Sequence, residues 1–255
     1  MVKTMRLGTT SYIYPADITT NVRRLAGTVM DVELVIFECD EYGSNLPDKE
    51  TIDGLIHLAE NHDLTYTVHL PLDLRLADED PLIEKAVRVI RCTMPLTPHG
   101  FILHLDGAGG GESLSLPRWT ENCLRSLEFL SGEVADEKML CVENLEDQSP
   151  ERMDGILERT GVSCCIDVGH LWKQGLDPLP CLDLWLPRSS TIHLHGMGSR
   201  DHKRLSLVPQ EKLDPVVGRL LGNFHGVVTL EVFSEDDLDE SLRAFNASVR
   251  RTRSS

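Results

Sequence analysis

The sequence lacks the features that would anchor the chain in a membrane or suit it to an oxidising compartment. No run of roughly 18 apolar residues occurs, which excludes a transmembrane helix. The first six residues lead directly into a strand-like segment and lack the apolar core of a signal peptide. The 7 cysteines are odd in number and include no C-x-x-C pair. This usage favours a reducing, cytoplasmic location over a disulfide framework.

Positive charge is also scarce. The chain has 25 Lys and Arg against 41 Asp and Glu, a formal net charge of −16, and its only basic block is the tail Arg250–Arg253. Proteins that bind nucleic acid usually carry a basic stripe that neutralises phosphates. The charge therefore argues against DNA or RNA as the substrate, and bound divalent metals would offset part of the acidity.

Short apolar runs alternate with amphipathic stretches about eight times over the 255 residues, with no low-complexity linker between them. Runs rich in Val, Ile and Leu are typical of parallel strands covered on both faces. The predicted strands are Arg6–Ser11, Val32–Glu38, Leu64–Leu70, Phe101–Asp106, Met139–Asn144, Val162–Asp167, Thr191–His195 and Val227–Phe233.

Helical periodicity lies between most of these runs, and three helices have clear start signals. Asp80-Pro81 and Ser149-Pro150 each resemble an N-cap followed by a first-turn proline, and Ser234 resembles the first residue of a capping box. Leu171–Pro187 reads as an irregular loop with at most a short helix.

Strict alternation predicts a parallel sheet, and eight units favour a closed (β/α)₈ TIM barrel formed as one domain by residues 1–255. No G-x-G-x-x-G follows the first strand, which weakens the dinucleotide-fold alternative.

Metal-ligand residue types gather where the predicted strands end, the position of the active site in such barrels. They are His69, His104, Asp106, Glu143, Asp167, His170, His193, His195 and Glu231, with His202 shortly after strand seven. One such histidine is more often a hydrogen-bonded core residue. Six consecutive strands ending this way, with few cationic partners, predict bound metal ions instead. The other four histidines, His57, His62, His99 and His225, are predicted to be solvated.

The spacing of these residues supports one cluster. Side chains two positions apart on a strand share a face, so His193 and His195 are expected to point the same way, as are His104 and Asp106. Mixed imidazole and carboxylate ligands suit Zn²⁺, Mn²⁺ or Fe²⁺ better than Ca²⁺.

At these residues the sequence resembles the xylose-isomerase-like barrels and, within them, the AP endonuclease family. That resemblance implies a site for two or three divalent metal ions, with zinc or manganese favoured over iron and Glu143 bridging two of them. The implied ligands are His69, His104, Glu143, Asp167, His170, His193, His202 and Glu231. Arg200 stands where the family usually has an aspartate, with Asp201 adjacent. Whether Asp201 or His195 also binds metal stays open.

A closer resemblance is to the cobamide-remodelling phosphodiesterases. The matching segments are Gly8–Ile18, Tyr66–Asp73, Cys141–Leu145, Asp167–Trp172, His193–Gly196, Arg200–Lys203 and Val228–Phe233. This implies hydrolysis of the nucleotide-loop phosphodiester of a corrinoid such as adenosylcobalamin. Glu143, Glu231 and Asp167 would be the catalytic residues. Trp172 and Lys203 are predicted substrate contacts, although Trp172 suits a cap on the barrel equally well.

Three alternatives remain. A sugar isomerase or epimerase of the same superfamily needs one metal ion, for which Glu143, Asp167, His193 and Glu231 suffice. A DNA-repair enzyme acting at abasic sites fits the ligand pattern but not the charge. A non-enzymatic corrinoid-binding protein is disfavoured by the intact ligand positions. One ion per chain favours the isomerase, and two or three favour phosphodiester hydrolysis.

Overall fold

Eight parallel strands close into a barrel in a computed structural model that describes residues 5–39, 43–79, 81–107, 115–198 and 202–254. Each strand pairs with its neighbours along the chain, and the eighth pairs with the first in the register Arg6↔Val227. The barrel strands are β1 (Arg6–Thr10), β2 (Asp31–Val35), β3 (Thr65–His69), β4 (Phe101–Leu103), β5 (Leu140–Glu143), β6 (Ser163–Asp167), β7 (Ser189–Leu194) and β8 (Val227–Leu230). The TIM-barrel prediction and all eight strand positions are confirmed.

Helices surround the barrel and bury one apolar face each against it. They are α1 (Ile18–Leu25), α2 (Lys49–His62), α3 (Ile83–Thr93), α4 (Leu116–Ser131), α5 (Glu151–Leu157), α6 (Val168–Lys173), α7 (Pro178–Trp185), α8 (Gln210–Asn223) and α9 (Glu235–Ser254). Single 3₁₀ turns occur at Met94–Leu96, Glu137–Met139, Leu186–Arg188 and Leu205–Leu207. A small hairpin pairs Glu38–Cys39 with Gly43–Ser44.

The prediction of an irregular segment at Leu171–Pro187 is wrong. It holds the end of α6 and the whole of α7. Asp167 caps α6, since its side chain accepts a hydrogen bond from the backbone N–H of His170. Asp177 caps α7 in the same way, and Pro178 occupies the first turn.

Two predicted helix starts are displaced and one is confirmed. Helix α3 begins at Ile83, after Pro81, and Asp80 lies outside the described residues. Helix α5 begins at Glu151, one residue after Pro150. Ser234 does cap α9, because its hydroxyl accepts a hydrogen bond from the backbone N–H of Asp237 at 3.3 Å.

The buried core is mostly apolar and includes four cysteines. Cys123, Cys141, Cys164 and Cys165 are buried free thiols, and the two other described cysteine side chains also form no disulfide. Among the described residues, no helix combines the length and apolarity that crossing a bilayer requires.

Candidate metal centre

The closed barrel brings the carboxyl ends of six strands to one mouth. His69, Glu143 and Asp167 are the last residues of β3, β5 and β6, and His104 and Glu231 directly follow β4 and β8. The eight ligands implied by the resemblance lie in one connected group, each within 3.9 Å of a carboxylate or imidazole of another member.

Glu143 is the hub of this group. Its Oε2 lies 3.5 Å from His69 Nε2 and 3.2 Å from His104 Nε2. Its Oε1 lies 3.5 Å from His170 Nδ1 and 3.6 Å from His193 Nδ1. Oε2 therefore faces the Nε2 atoms of His69 and His104, and Oε1 faces Nδ1 of His193, which suits a carboxylate that bridges two cations.

Asp167 also faces two groups of ligands. Its Oδ2 lies 3.9 Å from His193 Nδ1, toward the centre, and its Oδ1 lies 3.3 Å from His195 Nε2. The same Oδ1 accepts the 2.7 Å hydrogen bond from the backbone N–H of His170 that starts α6. The first turn of this helix is thereby tied to the site.

His193 is held from beneath by Glu33, a residue that sequence reasoning missed. Glu33 lies in the middle of β2, is fully buried, and accepts a hydrogen bond from His193 Nε2 at 2.9 Å. The neutral ring then keeps its lone pair on Nδ1, which lies 3.1 Å from Glu231 Oε2. A carboxylate between the apolar residues Val32 and Leu34 was the signal that could have identified Glu33, as a carboxylate after an apolar run identified Glu143.

Two other histidines have their tautomer fixed by main-chain carbonyl groups. His69 Nδ1 donates to Leu70 O at 2.8 Å, and His170 Nδ1 donates to Asn144 O at 2.9 Å. Each neutral ring therefore carries its lone pair on Nε2. In metal sites, a hydrogen bond from the second ring nitrogen of a histidine commonly fixes the tautomer that binds the ion.

The electrostatics of the mouth favour positive charge at its centre. Burial alone would raise the pKa of Glu143, but the imidazoles of His193 and His104 hold it well below its ordinary value. Glu231 has a lowered pKa for the same reason, through His193 and His202. Burial lowers the pKa of His69, yet Glu143 outweighs it and raises that pKa to about 9. Without metal ions, protonated imidazoles supply the positive charge that stabilises these buried carboxylates.

The donor atoms fit divalent cations. Four buried atoms at the mouth have no hydrogen-bond partner among the described residues: Asp167 Oδ2, His193 Nδ1, His195 Nε2 and Glu231 Oε2. Unsatisfied atoms of this kind are costly to bury unless a cation binds them. Four sets of donors each lie within 4.8 Å: Asp167, His170, His195 and His202; His69, His104 and Glu143; Glu143, Cys165 and His193; and Glu143, Asp167, His193 and Glu231.

The structure describes both predicted substrate contacts, Lys203 and Trp172. Lys203 Nζ lies 3.5 Å from Asp237 Oδ2 at the start of α9. Trp172 is partly buried and borders a groove between α7 and α8. Their roles stay predictions. Arg200 and Asp201 lie outside the described residues.

Of the other polar residues near predicted strand ends, Asp106 lies at the mouth and Glu38 does not. Asp106 is half-buried beside His104, and burial raises its pKa. Glu38, at the hairpin, pairs with Arg88 at 2.9 Å and belongs to the surface. The four histidines predicted to be solvated, His57, His62, His99 and His225, are all exposed.

A row of aromatic side chains leads away from the metal centre. Phe233 packs at 5.4 Å from the His202 ring, Tyr12 lies 6.5 Å from Phe233, and Phe37 lies 5.5 Å from Tyr12. Tyr12 is 51% exposed and Phe233 42% exposed, so both offer ring surface to a ligand. Tyr12 and Phe37 also line a cavity of about 720 Å³.

Comparison with protein families matches most of the chain to one of them. The AP endonuclease family 2 model, described as "Xylose isomerase-like TIM barrel", matches residues 29–253. No curated protein sequence matches the chain.

Solved structures share the fold at low sequence identity. A D-tagatose 3-epimerase-like protein superposes with a TM-score of 0.81 at 17% identity, covering 98% of this chain and 99% of its own. Endonuclease IV from Thermus thermophilus has a TM-score of 0.73 at 21% identity, covering 96% and 99%. The 3-keto-D-glucoside 4-epimerase YcjR from E. coli has a TM-score of 0.67 at 15% identity, covering 98% and 100%.

Proposed function

The chain belongs to the xylose isomerase-like TIM barrel family, and from this premise we propose that it is a metal-dependent phosphodiesterase that acts on cobamides. The proposed reaction hydrolyses the nucleotide-loop phosphodiester of a cobamide such as adenosylcobalamin. Water adds to phosphorus, the bond from phosphorus to the riboside oxygen breaks, and that oxygen takes a proton. The products are cobinamide phosphate and an α-riboside, so the lower ligand can be exchanged.

One observation carries the proposal: the mouth offers more ligands than one ion uses. Glu143 belongs to three of the four donor sets, and Asp167 belongs to two. An isomerase site with one ion would leave His69, His104, His170 and His202 without a metal to bind. Multinuclear sites are typical of phosphodiester hydrolysis, in which attacking and leaving oxygens are both stabilised.

The protein's own residues orient and shield the reaction. When bound, divalent ions supply Lewis-acid chemistry, withdrawing electrons from phosphoryl oxygens and lowering the pKa of water. Glu33 and His193 are fully buried and close the floor of the mouth against bulk water. The His104 and His202 side chains are 18% and 22% exposed, so they mark the rim at which a phosphodiester enters.

Charge and surface chemistry support a small molecule over nucleic acid. The net charge of −16 repels a polyanion such as DNA. The exposed rings of Tyr12 and Phe233 offer a stacking surface for a planar group such as the lower-ligand base. The sequence segments that resemble those of cobamide-remodelling phosphodiesterases support this substrate class further.

Epimerisation of a sugar is the second candidate, because one of the donor sets by itself supplies enough ligands for the single metal ion that this reaction needs. Glu143, Asp167, His193 and Glu231 place four ligand atoms within 4.8 Å, enough for a single ion. An epimerase-like protein and a 3-keto-D-glucoside 4-epimerase share the fold.

Metal analysis followed by mass spectrometry of a cobamide incubation tests the proposal. We expect two or three ions per chain, and cobinamide phosphate with an α-riboside as products. Glu143→Gln is expected to lower turnover by about 10²-fold or more, and the exposed Glu158→Gln serves as its matched control. A single ion with no cobamide cleavage, or preferential cleavage of an abasic duplex, would overturn it.

A further inference from the structure

A cavity of about 720 Å³ lies beside the barrel mouth, and its lining includes none of the proposed metal ligands. It is bounded by the loop after β1, the loop after β2 and the start of α2. Its apolar lining comes from Tyr12, Ile18, Phe37 and Leu46. A cavity of roughly 300–1,000 Å³ with aromatic walls and a few polar groups is the usual form of a small-molecule site. The cavity is therefore a candidate ligand site next to the metal centre.

The row of aromatic rings connects this cavity with the metal centre. Tyr12, which lines the cavity, lies 6.5 Å from Phe233, and Phe233 lies 5.4 Å from the ring of His202. Phe37 stands edge-on to Tyr12 at 5.5 Å and also lines the cavity. A ligand held at the metal centre can therefore extend toward the cavity along the surfaces of these rings.

The loop that carries Tyr12 is held in place by Asn21, a fully buried side chain of α1. Asn21 Oδ1 accepts hydrogen bonds from the backbone N–H groups of Ile13 and Tyr14 at 3.0 and 2.8 Å. Its Nδ2 donates to the carbonyl oxygens of Tyr14 and Ala16 at 3.1 and 3.0 Å. The loop therefore has its conformation before any ligand binds, which lowers the entropic cost of binding.

The loop that carries Phe37 is held in the same way by Asn45. Asn45 Oδ1 accepts a hydrogen bond from the backbone N–H of Phe37 at 2.6 Å, and Nδ2 donates to the carbonyl oxygen of Val35 at 2.9 Å. Ser11 Oγ accepts from the backbone N–H of Val35 at 3.0 Å and so joins the end of β2 to the residue after β1. The two rings of the cavity wall are therefore fixed relative to each other.

The cavity has negatively charged groups at its exposed edge. Asp17 and Asp48 line it, and the Oδ1 of each accepts a 2.8 Å hydrogen bond from a backbone N–H, that of Thr20 and that of Thr51. These hydrogen bonds hold the pKa of both carboxyl groups below its ordinary value, so both are ionised at neutral pH. The described lining residues include no lysine or arginine. The edge therefore repels a phosphate but not an uncharged or cationic heterocycle.

We propose that this cavity binds the base of the riboside that leaves in the cleavage, while the phosphodiester lies at the metal centre. The identity of the occupant rests on the proposed function. A benzimidazole base is planar, aromatic and without negative charge, so it suits both the aromatic wall and the carboxylates at the edge. The cavity thereby sets the direction of the substrate: the leaving riboside points toward β1 and β2, and the corrin ring lies away from them.

Calorimetry on the metal-loaded full chain tests the cavity with a benzimidazole riboside that carries no phosphate and so is not a substrate. Ala16 is exposed and lines the cavity, so Ala16→Trp places an indole there, and the exposed Ala135→Trp is the matched control. We expect wild type and Ala135→Trp to bind the riboside equally and Ala16→Trp to bind it about 10-fold more weakly. No binding by wild type, or equal binding by Ala16→Trp, would overturn the subsite.

A second variant, Phe37→Ala, removes one wall of the cavity and keeps the test decisive if Ala16→Trp does not fold. We expect it to weaken riboside binding and raise KM for adenosylcobalamin, each about 3- to 10-fold, with a smaller change in kcat and no loss of bound metal. The exposed Phe129→Ala should match wild type. Cleavage with an unchanged KM in Phe37→Ala would overturn the subsite and leave the proposed reaction standing. Riboside binding that the cavity variants weaken, without cleavage of adenosylcobalamin by wild type, would overturn the reaction and keep the cavity as a heterocycle site.

Discussion

At the mouth of the barrel, Glu143 and Glu231 are buried among imidazoles, whereas at the opposite end Asp31 is buried beside hydroxyl groups. The mouth carboxylates have lowered pKa values because neighbouring imidazoles outweigh their burial. Burial raises the pKa of Asp31 to about 6, and its hydrogen bond from Thr65 Oγ1 at 2.6 Å offsets this only in part. Burial alone therefore does not decide ionisation. The neighbouring cationic groups do, and buried imidazoles contact the carboxylates at the end of the barrel where the ligands gather.

Removing the charge of Glu143 should have the largest effect. Glu143→Gln keeps the size of the side chain but leaves His69, His104 and His193 without the carboxylate that they share. We expect a loss of bound metal and a fall in turnover of about 10²-fold or more. Metal content and cobamide cleavage measure this. Near-wild-type values for both would show that Glu143 is not the central metal ligand.

The histidines of the metal-free mouth should make stability depend on pH. The pKa of His69 is about 9 in the folded protein against an ordinary value of 6.5, so its contribution is complete below pH 6.5 and is lost as pH rises through 9. Urea unfolding in chelator should lose up to about 3 kcal/mol between these limits. In His69→Asn the dependence should flatten, while exposed His57→Ala should retain it. A pH-independent metal-free wild type would contradict this assignment.

Glu33 should tune the metal centre without binding metal itself. Glu33→Gln weakens the acceptor that fixes His193 Nε2, so Nδ1 is presented less firmly. We expect metal affinity to fall about 10- to 100-fold. Competition with a chromophoric chelator measures the affinity, and an unchanged value would mean that the barrel wall alone orients the ring.

Removing the charge of Asp31 should raise the stability of the folded protein, and this should be the smallest of the expected effects. Its folded pKa of about 6 exceeds that of an ordinary carboxyl group, so ionisation costs stability increasingly as pH rises through 6. Asp31→Asn is expected to stabilise the protein by about 1–2 kcal/mol at pH 8 and to give no gain at pH 4. Thermal unfolding at both values measures this, with exposed Asp53→Asn as the control. Destabilisation at pH 8 would mean that the charge is needed.

The sequence predicted most of the barrel because strands buried on both faces read as apolar runs of the right length. The sequence did not predict α6 and α7. Helix α6 has only six residues, includes Gly169, and buries four consecutive residues, so its sequence shows no amphipathic helical pattern. The rule that active sites lie at strand ends located the mouth. That rule passed over Glu33, which lies within β2 and meets His193 across 160 residues of sequence. Such a pairing is visible only once the barrel is closed.

The ligands of the mouth are spread along the chain from His69 on β3 to Glu231 after β8. A nascent chain that ends before β8 lacks Glu231 and has an open sheet edge at β7. The donor set of Glu143, Asp167, His193 and Glu231 is therefore incomplete until β8 has been made and the barrel can close.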